Sequence, residues 1–98
     1  MPAYVIALID VHDPVAYERY RAEVPSIVAA HGGRFLVRGG AQAVLEGDWP
    51  ETRTVVMAFP DRAAATAFYE SEAYQAIVPL RQAASTGRIL VVDGVEPA

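Results

Sequence analysis

The chain has 98 residues, a formal net charge of −4 and no cysteine, and its eight basic residues are all arginines. That length makes one domain, 1–98, with a core small enough that burial shared with a second copy adds stability. The composition excludes disulfides, thiolate and zinc-thiolate chemistry, Schiff-base lysines and, for want of a basic cluster, nucleic acid as a partner.

The first predicted element is a buried strand, the branched apolar run Tyr4 to Val11, ended by His12-Asp13-Pro14. Asp13 then reads as an N-cap with Pro14 in the first helical turn. Tyr17, Tyr20, Val24, Ile27 and His31 recur at three- and four-residue steps and share a helical face, with Gly32-Gly33 as the stop. Pro25 lies inside this pattern and is expected to kink the helix near Arg21 or to split it.

Arg34 to Arg38, a Gly39-Gly40 turn or bulge, and Ala43 to Glu46 read as one broken strand or two short ones. Asp48-Trp49-Pro50-Glu51 is a turn, and Arg53 to Phe59 a strand. Pro60-Asp61 caps a helix over Ala63 to Glu70 with Ala64 and Phe68 facing inward, and Ser71 is a second cap. Helix resumes around Tyr74 and Ile77, is interrupted by Pro79 and continues past Arg81 until Gly87. Arg88 to Asp93 is the final strand, and Gly94 to Ala98 a short tail.

This order predicts a ferredoxin-like βαββαβ fold of the α+β class, a four-stranded antiparallel sheet with its helices on one face. Both faces of that sheet are apolar. In the first strand Tyr4, Ile6 and Leu8 oppose Val5, Ala7 and Ile9, and the third and last strands repeat the pattern. Leaving roughly eight such side chains in water would forgo about 10 kcal/mol, at about 25 cal/mol per Å² of apolar area. A homodimer with sheets stacked face to face is therefore expected, a dimeric α+β barrel, enclosing a mostly apolar space with arginines, tyrosines and Trp49 at its mouth. No apolar run reaches membrane-spanning length and no secretory leader pattern is present, so a cytoplasmic protein with no membrane partner is expected.

Gly33 to Gly40, Glu46 to Arg53, Phe59-Pro60-Asp61 and the run from Tyr69 to Tyr74 together resemble a known family, over nearly the whole length of the chain. These are the small bacterial proteins catalogued as a domain of unknown function, the thirteen-thirty family. The resemblance implies a ferredoxin-like fold within the dimeric α+β barrel superfamily. It brings no reaction, because the family has none assigned. Positions that match its pattern include Arg34, Arg38, Glu46, Trp49, Arg53, Tyr74 and Arg81. Relatives by fold include cofactor-free monooxygenases, haem proteins and lactone isomerases, and such analogies do not carry a function.

His31 is the leading titratable candidate, with an ordinary pKa suited to proton transfer at neutral pH; a histidine before Gly-Gly also suits a helix C-terminus. His12 reads as exposed. The two histidines lack metal-ligand spacing, so neither a metal site nor a cofactor is expected. Arg34, Leu36 and Arg38 alternate along one strand and are read as sharing a face, where the arginines need carboxylates or an anionic ligand; Glu46, Asp10 and Glu51 are the internal candidates. Trp49 anchors a turn or roofs a ligand. Tyr17, Tyr20, Tyr69 and Tyr74 suit a core with hydrogen-bonded hydroxyls. Arg53 is read as a cross-strand partner of the Glu46 region.

Three functions fit. The first is a cofactor-independent enzyme (proton transfer, isomerase or monooxygenase-like) acting on a small organic acid or enolisable carbonyl compound. In it His31 is acid or base, Tyr20 or Tyr74 donates a hydrogen bond, and Arg34, Arg38, Glu46, Trp49 and Arg53 form the substrate pocket. The second is a non-catalytic dimer binding a small-molecule ligand, and the third a structural dimer whose filled interior lacks a cavity of roughly 300 Å³.

Overall fold

Strand β1 (Ala3–Val11) gives way to helix α1 (Pro14–Ala30) at Asp13, whose carboxylate accepts the Ala16 N–H at 3.1 Å while Pro14 sits where its missing N–H costs nothing. These elements come from a computed structural model that describes residues 1–95; the last three residues of the expected tail lie outside them. Helix α1 ends at His31, and Gly32 follows with a φ of +75°, a conformation suited to glycine. The expected split at Pro25 does not occur: α1 runs through it. The carbonyl that Pro25 leaves without its helical partner, that of Arg21, accepts a hydrogen bond from the Arg38 guanidinium at 3.1 Å.

Strand β2 (Arg34–Arg38) is followed by an irregular connection through residues 39–52 to β3 (Arg53–Phe59), so no strand forms at Ala43 to Glu46. Asp61 accepts the Ala64 N–H at 2.8 Å and caps α2 (Arg62–Glu70). Ala65 is buried there with Phe68, and the expected Ala64 is partly buried against the same core. Ser71 ends α2 and caps α3 (Glu72–Ala84), so the second helical region is two helices; Pro79 is accommodated inside α3.

Strand β4 (Ser85–Asp93) begins directly after α3, earlier than the expected release at Gly87. The Ala84 carbonyl accepts the N–H groups of His12 and Asp13 at 3.0 and 3.1 Å, so the β1–α1 junction satisfies the helix end without a glycine. Gly87 instead lies within β4, where a Cβ would meet Ile9 Cδ1 at 2.8 Å.

The strand order is β2-β3-β1-β4, antiparallel throughout, which is the ferredoxin-like arrangement. Val5, Ala7, Ile9, Val55, Met57 and Phe59 point under the helices and pack with Tyr20, Val24, Val28, Phe68 and Tyr74. The opposite face carries Tyr4, Ile6, Leu8, Val56 and Ala58, with Leu90 and Val92 well exposed, 55% and 43%. Polar residues on that face, Arg34, Thr54 and Arg88 with Asp10 and Thr86 at one end by register, border these apolar groups without breaking them into alternation. Among the described residues no helix is long and apolar enough to cross a membrane.

One irregularity reassigns the arginines. Phe35 pairs with Met57 but Val37 pairs with Val56, so Leu36 is an extra residue, a β-bulge. Past it the alternation inverts. Arg34 pairs with Ala58 on the open face, whereas Arg38 pairs with Val55 on the helix face. The expectation that Arg34, Leu36 and Arg38 share a face is therefore corrected.

Candidate functional site

The inward stripes of α1 and α3 bring two phenols together. Tyr17, Tyr20 and Val24 follow one face of α1, and Tyr74, Val78 and Arg81 one face of α3. The Tyr20 and Tyr74 hydroxyls are 2.7 Å apart and buried, and the rings meet edge to face with centroids 6.2 Å apart. Burial pushes the Tyr20 hydroxyl well above the ordinary phenol pKa; the Tyr74 hydroxyl adds to this and Arg81 opposes it. Burial also raises Tyr17, against the lowering influence of Arg53 and Arg81. Both phenols stay neutral at physiological pH.

Beside this pair lies a cavity of about 30 Å³ between helices and sheet. Its lining includes Tyr17, Tyr20, Tyr74, Arg21, Arg38, Arg53 and Arg81, closed by apolar groups such as Ala7, Val55 and Ile89, and holds no carboxylate. The Arg53 guanidinium is 5.9 Å from the Tyr17 ring centroid and donates to the Arg38 carbonyl at 3.4 Å. Arg38 stacks 4.7 Å over Phe35 and reaches the Arg21 carbonyl. Among the described residues, the Nε groups of Arg53 and Arg81 are buried without a hydrogen-bond partner. Among the described residues the expected ion pairs to Glu46, Asp10 or Glu51 do not form, and Arg21–Glu18 and Arg62–Asp93 do. The cross-strand role read for Arg53 is replaced by its place over Tyr17.

The remaining candidates lie elsewhere. His31 caps α1, its Nδ1 2.9 Å from the Ile27 carbonyl oxygen and its ring against Phe68, and it does not line the cavity. Glu46 and Trp49 are exposed on the 39–52 connection, where they border a separate open depression, and Arg34 faces away on the open sheet. Tyr17 and Arg81 were not among the expected site residues. The signal for Arg81 was its spacing of seven from Tyr74, which returns it to the same helical face.

Chemically, the site concentrates positive charge and neutral phenol donors in a desolvated space, which suits an anion or an oxygen that gains charge. Its enclosed volume holds about two waters, well short of the roughly 300 Å³ of a typical ligand pocket, so it encloses at most a head group. Larger hollows of about 360 to 490 Å³ are open surface depressions.

The fold has close counterparts among solved structures. A protein of unknown function from Rhodopseudomonas palustris is 21% identical, with a TM-score of 0.78, covering 98% of this chain and 84% of its own. The cofactor-independent oxygenase SnoaB of Streptomyces nogalater is 16% identical, with a TM-score of 0.62, covering 99% and 98%. A DABB family protein with a ferredoxin-like fold from Mesorhizobium loti is 16% identical, with a TM-score of 0.66, covering 96% and 97%. These likenesses establish a ferredoxin-like α+β fold and nothing further. No functionally curated protein matches the chain. The sequence profile that does match spans residues 2–95, and the chain accordingly belongs to the family described as Domain of unknown function (DUF1330).

Proposed function

We propose that this chain works as a homodimer, without a bound cofactor, on a small organic acid or enolisable carbonyl compound whose charged or polarised oxygen enters the helix-side cavity. The observation that carries the reading is the convergence of Arg38, Arg53 and Arg81 on the buried Tyr20–Tyr74 hydroxyl pair with no carboxylate among the lining residues. One O–H of the phenol pair is used between the two rings and the other is free to donate to the oxygen, while the guanidinium groups stabilise negative charge as it develops. No lining residue is His, Asp or Glu, so the site acts by lowering the pKa of the compound it holds, with the proton leaving to solvent or to the compound's own base. His31, a helix cap, takes no part. The apolar open sheet face supports the dimer, and the cofactor-independent chemistry named for SnoaB supports the absence of a cofactor.

The small enclosed volume favours a second reading, a dimer that binds a metabolite's head group or is purely structural, without turnover. Proton exchange decides between them. Short β-keto acids and β-dicarbonyl compounds in D2O, followed by NMR, should lose their α-protons faster with protein than in buffer, and the gain should vanish in Tyr20→Phe/Tyr74→Phe. No acceleration for any compound in the panel leaves the binding or structural dimer.

A further inference from the structure

Arg81 is 7% exposed, and its Nε has no hydrogen-bond partner among the described residues. Buried guanidinium groups are ordinarily matched by carboxylates, because an unmatched one keeps its desolvation cost without return. Here Arg81 and Arg53 both line the cavity, each with a buried Nε donor left idle, and the lining has no acidic side chain. Of the four arginines around this space Arg21 pairs with Glu18, and Arg38, Arg53 and Arg81 leave a charge imbalance that a ligand can correct. The space of about 30 Å³ is on the scale of a small head group, and a flat three-atom carboxylate enters it with less displacement of the lining than a tetrahedral five-atom phosphate or sulfate.

We infer that Arg81 is the anchor for a planar carboxylate head group, which it holds together with Arg53 at the floor of the cavity while the rest of a short organic acid extends toward the exposed Arg21 and Arg38. The inference rests on the reading above only in placing the ligand in this cavity; it requires no turnover. A carboxylate accepts from a guanidinium fork through both oxygens, which a point-like anion cannot do. Arg81 is well placed for this because α3 fixes its backbone: the Arg81 carbonyl accepts the Ser85 hydroxyl at 2.6 Å where the helix passes into β4.

The test uses the intact chain with acetate and inorganic phosphate as probes at matched ionic strength and pH 7, against chloride. Acetate should raise the melting temperature along a saturating curve, and phosphate should not. Arg81→Met, which keeps the aliphatic bulk and removes the charge, should weaken acetate binding at least tenfold, whereas Arg34→Met on the open sheet should leave it unchanged. If Arg81→Met does not fold, NMR of the wild-type arginine Nε–H groups replaces it: acetate should shift the Arg81 and Arg53 signals and spare Arg34 and Arg88. Equal shifts from phosphate and acetate, an undiminished acetate response in Arg81→Met, unmoved Arg81 signals, or no acetate binding at all would each overturn the inference. Acetate bound at Arg81 without proton exchange would sink the enzyme reading alone. Turnover with an unchanged KM in Arg81→Met would sink this inference alone.

Discussion

Pro25 and Arg38 are coupled through one carbonyl. Proline lacks the N–H that would take the Arg21 oxygen four residues back, and the Arg38 guanidinium supplies a donor at 3.1 Å instead. Arg38→Met should therefore cost about 0.5–1.5 kcal/mol, a modest value because the contact is exposed. In a Pro25→Ala background the restored N–H takes over the carbonyl, and the cost should shrink. Urea denaturation of the four-protein cycle measures the coupling, and strict additivity would show that the two residues do not share that acceptor.

The Tyr20–Tyr74 contact is a closed pair of hydroxyls in the core. Phenylalanine at either position strands the other hydroxyl, at a cost of about 1–3 kcal/mol, while replacing both should cost less than the sum of the singles. Thermal or urea unfolding of the three variants checks this. Additive losses would mean that each hydroxyl is satisfied independently.

Alkaline stability follows from the same burial. Tyr20 and Tyr17 hold their protons more tightly in the folded chain than in the unfolded one. Below about pH 10, the ordinary phenol pKa, both states are protonated and this contribution does not vary. Above it the unfolded chain releases its protons first, so stability falls with rising pH, by about 1.4 kcal/mol per pH unit for Tyr20, with Tyr17 acting in the same direction. Urea midpoints from pH 7 to 11.5 should show the decline, with a shallower slope in Tyr20→Phe; parallel slopes would contradict it.

Gly39 has a φ of +70°, and a Cβ there would collide with the Arg53 guanidinium. Gly39→Ala should lose about 1–2 kcal/mol through backbone strain and should displace Arg53 from the cavity rim. Calorimetry reads the first effect. Acetate titration reads the second, as weaker binding than in the parent.

For the homodimer, sedimentation at low micromolar concentration should give twice the 10.6 kDa chain mass. Leu90→Glu, on the open sheet face, should reduce it to the single-chain value while leaving circular dichroism unchanged. A wild-type chain that sediments singly at those concentrations would remove the dimer from the proposal.

The fold was legible because its signals are local. Continuous apolar runs rich in branched residues marked β1, β3 and β4, and the aspartate and serine caps marked the helix starts. What escaped was decided by contacts distant in sequence. Pro25 was expected to kink α1 or split it, and the helix continues through it with a donor from β2 on the freed carbonyl. The bulge at Leu36 has no local marker such as glycine, and it alone determines that Arg34 and Arg38 part company. At the site, Tyr20, Tyr74, Arg38 and Arg53 meet in one cavity, whereas His31, Glu46 and Trp49 were chosen for their chemistry and lie outside it. Arg81 matched the family pattern but drew no role, because its burial follows only when the helical phase is tracked from Tyr74.

Helix α3 and strand β4 meet with no intervening residue, so the winding of one dictates the orientation of the other. One amino acid inserted between Ala84 and Ser85 would turn the last strand over if the turn took up none of it, sending Leu90 and Val92 inward and Ile89 and Val91 outward. The spliceless joint thus acts as an indexing key: it ties the outer surface on which two copies would meet to the angular setting of the helix that carries Arg81.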